Sequence, residues 1–231
     1  MTSSKEALVV IAAYNEEQSI GRLIELTRPW ADVCVVNDAS RDRTEDIVRS
    51  YPGVVCLSHK KNTHIPRAVL DGMAYAVSRP YRYVITMDAG LSHDPNELSR
   101  FLDAPPADVV LGVRNVRHDV PLYRRFFSFS AGLLFNLAFA SWRWRLLPAH
   151  FRDVTSGFRR YSRRAVELLL NRTFQARSFD FHVEALMLAY RNRLSILEVP
   201  ITYQFTNTSL RTKVVLDELR MLALMFLQQR K

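Results

Sequence analysis

Three polar clusters each follow a short apolar run, and their residue types suit ligand chemistry better than chance turns. Tyr14-Asn15-Glu16 follows Leu8–Ala12, Asn37-Asp38-Ala39-Ser40 follows Val33–Val36, and Asp88 follows Tyr83–Met87. An aromatic ring offers a stacking face, and carboxylates offer hydrogen-bond acceptors or cation ligands. One such cluster is an ordinary turn; three on one sheet edge would converge on a single crevice. A fourth pattern lies further on. Arg124, Ser128, Gly132 and Asn136 are spaced by four, so on a helix they form one stripe. Phe126, Phe127, Phe129, Leu133, Leu134, Phe135, Leu137 and Phe139 surround it. A narrow polar stripe headed by arginine on a greasy helix suits a lipid phosphate. The same pattern also fits a buried core helix with solvent-facing arginines at its ends. His59, His64, His93, His118, His150 and His182 show no metal-ligand spacing, so histidine chemistry is not indicated.

The elements that must position these residues are legible in the first half. Leu8–Ala12, Val33–Val36, Val54–Leu57, Tyr83–Met87 and Val109–Leu111 are short continuous apolar runs, as parallel strands buried on both faces require. Helix-period segments lie between them, around Ser19–Thr27, Thr44–Arg49, Pro66–Val77 and Pro95–Leu102. Strand–helix alternation predicts a doubly wound α/β fold, Rossmann-like, with a mostly parallel sheet and ligands at the carboxyl ends of the strands. In the second half, Asp153–Phe158 reads as a turn into a helix over Ser162–Leu170. Phe181–Tyr190 reads as a helix, Ile196–Val199 as a strand stopping before Pro200, and Lys213–Leu227 as an amphipathic helix.

The chain has 231 residues, 48% of them hydrophobic, with a formal net charge of +9. That excludes a disordered polar tail and provides for a real core. The basic excess points to an anionic partner: nucleic acid, an anionic membrane or a phosphorylated small molecule. The uncharged stretch Phe126–Trp142 would make a helix about 26 Å long, short of a hydrocarbon core of roughly 30 Å. An in-plane or core helix is expected there, not a span. The start carries no signal-peptide pattern, and Cys34 and Cys56, both inside apolar runs, read as buried thiols.

Five segments taken in order resemble glycosyltransferase family 2, and within it the dolichyl- or polyprenyl-phosphate mannose synthase group. They are Val10-Ile-Ala-Ala-Tyr-Asn-Glu16, Val36-Asn-Asp-Ala-Ser40, Asp88-Ala-Gly-Leu-Ser-His-Asp-Pro95, Asp153-Val-Thr-Ser-Gly-Phe-Arg159 and Glu198-Val-Pro-Ile201. The resemblance implies a GT-A fold over residues 1–231, with a nucleotide-sugar-binding half (1–113) and an acceptor-binding half (114–231). It implies donor contacts from Ala12, Tyr14, Glu16, Asp38 and Asp88, with Arg67, Arg211 and Lys213 as further donor contacts. Arg114, Arg124, Arg125 and Ser128 fall where the family binds an acceptor phosphate. Asp88 and Asp153 fall on its catalytic positions, although Asp153 also reads as a cap of the following turn, and Glu16 and Asp38 as helix caps.

Three departures stand out. Ala12 replaces the usual Pro, Asn37 replaces the first Asp of an Asp-Asp pair, and Gly90 removes the second carboxylate of the family's Asp-x-Asp. A divalent Mg²⁺ or Mn²⁺ would then rest on Asp88, donor phosphates, water and Ser92, so metal binding should be weak or dispensable. The implied activity is inverting transfer of a hexose, with mannose favoured, from a nucleotide sugar to polyprenyl or dolichyl phosphate. Amphipathic helices would hold the enzyme at the cytoplasmic face of a membrane, with or without an anchoring subunit. A family-2 transferase with a glycan or soluble acceptor, and a non-catalytic membrane-binding relative, are the competing readings. Nucleic acid is disfavoured because the aromatics gather in one apolar helix and are not interleaved with basic residues.

Overall fold

In the computed structural model the described residues are 5–118 and 151–204. They build one seven-stranded sheet. The strands are β1 (Ala7–Ala13), β2 (Asp32–Asn37), β3 (Val55–Ser58), β4 (Tyr83–Asp88), β5 (Val109–His118), β6 (Arg159–Ser162) and β7 (Ile196–Gln204). Their order is β3-β2-β1-β4-β6-β5-β7. All neighbours pair in parallel except β6, which runs antiparallel to both β4 and β5. The helices are α1 (Ile20–Thr27), α2 (Thr44–Arg49), α3 (His64–Val77), α4 (Leu98–Leu102), α5 (Arg163–Leu170) and α6 (Asp180–Arg191), and a 3₁₀ turn (Pro95–Glu97) leads into α4.

Alternation along the strands decides which helices go where. In β1, Ala7, Val9, Ile11 and Ala13 pack with Ile20, Leu23 and Ile24 of α1, Val48 of α2 and Phe101 of α4. Leu8 and Val10 point the other way, onto Ala68, Val69 and Met73 of α3, Val166 of α5 and Phe181 of α6. Both faces are therefore covered, which is why these strands read as unbroken apolar runs. Helix α3 lies close to the sheet at Gly72, where an added Cβ would stand 2.3 Å from a Val10 methyl.

The first half matches expectation within two residues at each element end, except that β5 continues to His118. The second half brings corrections. Strand β6 (Arg159–Ser162) fills the gap between the expected turn ending at Phe158 and the helix expected from Ser162, where no strand was expected, because its Arg159-Arg160 pair hides the pattern of a buried strand. Both arginines are fully buried. Arg159 donates to the carbonyls of Val154, Ser156 and His182, and Arg160 to those of Phe101, Ala104 and Pro105. Backbone dipoles thus replace carboxylates as partners, and the Arg160 guanidinium also lies 4.2 Å from the centroid of the Tyr83 ring.

Strand β7 continues through Pro200, where it was expected to stop. It is an edge strand, so the missing N–H falls on the side away from β5 and breaks no ladder bond. Side chains and turns occupy that side. Glu97, buried, accepts from the Thr202 N–H, and the Gln204 N–H reaches the Ser92 carbonyl. Cys34 is buried and Cys56 half-buried, and both are free thiols. Burial, with Cys56 nearby, pushes the Cys34 thiol up to about 12. Among the described residues no helix is long and apolar enough to cross a membrane. The two amphipathic helices expected around Phe126–Trp142 and Lys213–Leu227 lie outside them.

Candidate active site

The loops after β1, β2 and β4 meet along the carboxyl edge of the sheet, and their backbones are strained there. Asn15, Ala39, His64 and Leu91 all have φ between 56° and 67°. For residues other than glycine this left-handed conformation costs roughly 1 kcal/mol or more, so the surroundings must impose it. Cross-loop bonds do so. Asn15 N–H donates to Ser40 Oγ, Arg41 N–H to Asn15 Oδ1, Glu16 N–H to Thr44 Oγ1 and Glu17 N–H to Asp42 Oδ2. The β1 and β2 loops are thereby joined into one rim.

On that rim Tyr14 presents an exposed ring, 43% accessible, beside the half-buried Glu16. Burial raises the Glu16 pKa; the Ser19 hydroxyl opposes the shift, and the charges of Asp88 and Asp42 add to it. Ala12 pairs with Asp88 across β1 and β4, which sets the first cluster beside the third. Asp38 is buried at the end of β2. Its carboxylate accepts from His59 Nδ1, from the Thr63 N–H and hydroxyl, and from the His64 N–H. It thus fastens the segment entering α3 as a cap would. Asn37, where the family has an Asp, donates its amide to Glu45 Oε2 at 2.8 Å, a bond a carboxylate could not make. Arg67 turns its guanidinium to Asp71, one helical turn further along α3.

Asp88 ends β4 with its side chain one-third exposed, and His93 Nδ1 is 3.7 Å from its Oδ2. His93 and His182 are both buried, and among the described residues the Nδ1 atoms of both find no hydrogen-bond partner. Burial lowers both pKa values, so both rings are held neutral. Gly157 fills the space between Asp88 and His182: a Cβ there would be 2.9 Å from Asp88 Oδ1 and 2.9 Å from His182 Nε2. Ser92 is buried nearby and gives its carbonyl to β7. Gly90 supplies no ligand. Among the described residues no three His, Cys, Asp or Glu side chains converge as a cation site. These residues do not fit a protein-built divalent centre.

Arg114 and Asp153 meet as a two-pronged pair. Arg114 Nε is 2.6 Å from Asp153 Oδ2 and its NH2 nitrogen 2.7 Å from Oδ1, with a third bond to Thr155 Oγ1. Burial would lower the arginine's pKa, but the Asp153 charge and hydrogen bonds outweigh it and hold the cation firmly. The guanidinium also lies over the Tyr203 ring at 5.1 Å. The Asp153 loop is fixed from below by Arg159, whose guanidinium binds the Val154 and Ser156 carbonyls. Thr86 of β4 ties it again, through the Gly157 carbonyl.

The crevice therefore brings together Ala12, Tyr14, Glu16 and Asp88, with Asp38 behind them. Arg114 and Asp153 are linked to Asp88 through His93, on which all three charges act. Arg67 is drawn toward Asp71. Arg124, Arg125, Ser128, Arg211 and Lys213 lie outside the described residues. Sequence reasoning missed His59, His93, His182 and Arg159. It tested histidines only for metal spacing, and it took Arg159 only as the end of a family-like segment, with no role of its own.

Comparison with known proteins gives this crevice a lineage. The family model "Glycosyl transferase family 2" matches residues 8–170. Polyprenol monophosphomannose synthase of Mycolicibacterium smegmatis is 28% identical over 87% of this chain and 78% of its own length. Undecaprenyl-phosphate mannosyltransferase of Micrococcus luteus is 30% identical, over 85% and 82%. A UDP-N-acetylglucosamine–dolichyl-phosphate N-acetylglucosaminyltransferase of Methanococcus voltae is 23% identical, over 90% and 89%. In fold, the crystal structure of mannosyl-3-phosphoglycerate synthase from Rubrobacter xylanophilus superposes with a TM-score of 0.70 at 16% identity, covering 97% of this chain and 75% of that one. The likeness makes the sheet GT-A-like. With the family model spanning both the strained rim and the Asp153 loop, the chain belongs to glycosyl transferase family 2 and is a glycosyltransferase.

Proposed function

We propose that this chain transfers a hexose, mannose first among them, from a nucleotide sugar to a polyprenyl or dolichyl phosphate, with inversion at the anomeric carbon. One observation carries the reading. Two of the three named relatives print mannose and the third N-acetylglucosamine, yet each name includes a polyprenol, undecaprenyl or dolichyl carrier bearing phosphate.

In this reading the acceptor phosphate oxygen forms the new bond to the anomeric carbon. The bond to the nucleoside diphosphate breaks on the opposite side, and its electron pair leaves with the diphosphate. A phosphate monoester is already anionic at neutral pH, so no strong general base is required. Tyr14 stacks on the base, and Glu16 accepts from the ribose. Asp88 lies nearest the sugar and diphosphate. Arg114 faces the acceptor phosphate, with Arg124, Arg125 and Ser128 completing the phosphate site and Arg211 and Lys213 the diphosphate clamp. Asp153 has both oxygens on Arg114, so its part is to aim that cation rather than to take a proton. The enzyme works at a membrane surface, on the cytoplasmic side.

The test is a radiolabel transfer assay with several GDP- and UDP-sugars and polyprenyl phosphate, run with Mn²⁺ and with EDTA. Labelled lipid is the expected product, with EDTA lowering the rate by less than about tenfold because Gly90 leaves Asp88 without the second carboxylate of an Asp-x-Asp pair. Absence of transfer from every donor, alongside intact nucleotide binding, would sink the proposal. Transfer to a soluble acceptor alone would redirect it. Arg124→Ala should impair lipid-phosphate use and spare nucleotide affinity.

A further inference from the structure

His59 is one of the most fully engaged imidazoles in the described structure, and the reaction as derived gives it no task. Its Nδ1 is 2.7 Å from Asp38 Oδ1, and its Nε2 is 3.0 Å from Asp71 Oδ2. Its backbone N–H also donates to the Asn37 carbonyl at 2.9 Å, so the residue is tied to the end of β2 twice. Asp71 in turn accepts from Arg67 Nε at 2.9 Å. A chain of contacts, Asp38–His59–Asp71–Arg67, thus runs from the floor of the donor crevice to the outer face of α3.

The distribution of bonds on Asp38 is uneven, and His59 causes part of that. Three groups crowd Oδ1: His59 Nδ1, the Thr63 N–H and the Thr63 hydroxyl, which also lies 2.9 Å from His59 Nδ1. Oδ2 takes one, the His64 N–H. A carboxylate oxygen has about two lone-pair positions, so Oδ1 is saturated while Oδ2 keeps room for one more donor. The backbone on either side is held in the left-handed region, at Ala39 with φ 61° and at His64 with φ 67°. A carboxylate flanked by strained backbone keeps one orientation only if its partners are themselves fixed. His59 is fixed, because its far nitrogen is anchored on a helix.

We propose that His59 is a positioning residue for the nucleotide donor: braced by Asp71, it holds Asp38 so that Oδ2 is the oxygen offered to the nucleoside. The inference rests on the donor-site reading of Asp38. Its signature is a change in donor affinity with little change in turnover, since His59 does not approach the reacting carbon. Asp71 makes the decisive comparison. It is partly exposed on α3, and among the described residues its carboxylate is bonded to His59 and Arg67 and not to Asp38.

The experiment measures binding of GDP and UDP by calorimetry, and kcat and donor KM where transfer is detected. The variants are His59→Leu, His59→Gln, Asp71→Ala and the double variant His59→Leu/Asp71→Ala. Losing a hydrogen bond to a charged partner should weaken nucleotide binding about tenfold in His59→Leu. Asp71→Ala should weaken it about threefold. The double variant should be no weaker than His59→Leu alone, because the two act through one chain. His59→Gln keeps a donor toward Asp38 and should recover part of the loss, and kcat should stay within about twofold throughout. Wild-type affinity in His59→Leu, full additivity in the double variant, or a fall in kcat at unchanged affinity would overturn the proposal. Should His59→Leu fail to fold, Asp71→Ala and His59→Gln decide it by the same measurements. A wild-type chain that binds neither nucleotide would remove the donor-site reading and this inference together. Binding that the His59 and Asp71 changes leave alone removes this inference only.

Discussion

At the scale of single residues, neighbours confine Asp88 closely, and the proposed chemistry depends on that confinement. Gly157 is the clearest case, because any side chain at that position meets Asp88 and His182 at 2.9 Å. Gly157→Ala should cut kcat/KM at least about tenfold, with the far-ultraviolet dichroism unchanged, since a displacement near 1 Å at a site can cost about a hundredfold. Unaltered kinetics would remove Asp88 from the chemistry.

Glu16 predicts a pH effect at the same scale. Its folded pKa is raised above 4.5, first by burial, against the Ser19 bond and with the charges of Asp88 and Asp42. The fold therefore favours the protonated form. That contribution to stability is present at low pH and is lost as pH rises through the raised value. Donor affinity should move the opposite way, improving over the same interval as the carboxylate forms. Glu16→Gln should flatten the pH profile of donor KM and slightly raise the melting temperature at neutral pH.

How much of the site could be read from sequence follows from chemistry of this kind. Tyr14, Glu16 and Asp88 announced themselves by standing directly after apolar runs, and the structure gathers them. His59, by contrast, is linked to Asp38 and Asp71 across three elements, and no local spacing encodes such a chain. The Asn37–Glu45 bond shows a second kind of limit. An Asn for an Asp looks like damage until the acidic partner on α2 is seen.

At the scale of elements, strands buried on both faces were legible and the mixed strands were not. β1, β2 and β4 are built mainly of Val, Ile, Leu, Ala and Met, with Cys34, Tyr83 and Thr86 among them, and hydrophobicity marks them. β6 carries two arginines whose partners are carbonyls from α6 and from the turn after α4, so its burial depends on segments distant in sequence. Pro200 misled for a related reason, since proline ends an interior strand but is at home on an edge. The α3–sheet contact gives the stability prediction for this scale. Gly72→Ala forces a methyl to within 2.3 Å of Val10 and should destabilise the fold by about 1–3 kcal/mol, read by urea denaturation. Gly21→Ala on α1, whose Cβ would meet nothing closer than the Tyr51 hydroxyl at 3.2 Å, is the control and should cost less.

At the scale of the whole molecule, the single reversed strand β6 divides the sheet. On one side β3-β2-β1-β4 carries the rim with Tyr14, Glu16 and Asp38. On the other side β5 and β7 carry Arg114 and the Tyr203 ring beneath it. The loop entering β6 bears Asp153 and Gly157 and touches both sides. The two proposed substrates would therefore meet over β6. The +9 charge gives the prediction at this scale. Binding to vesicles with anionic lipid should exceed binding to neutral vesicles, and should fall steadily as salt rises from 50 to about 300 mM in a flotation assay. Equal binding to both kinds of vesicle would argue against an electrostatic approach to the membrane.

The buried arginines change what that net charge means. Arg159 and Arg160 are enclosed by carbonyl groups, and among the described residues neither forms an ion pair with a carboxylate. Each adds a full unit to the sequence total from a fully buried position. The Arg114–Asp153 pair already cancels within that sum. A titration of vesicle affinity against ionic strength counts only the charges that exchange ions with solvent. Its slope should accordingly be shallower than the sequence sum implies, and the shortfall is the share of positive charge committed to holding the Asp153 loop and the α4 turn in place.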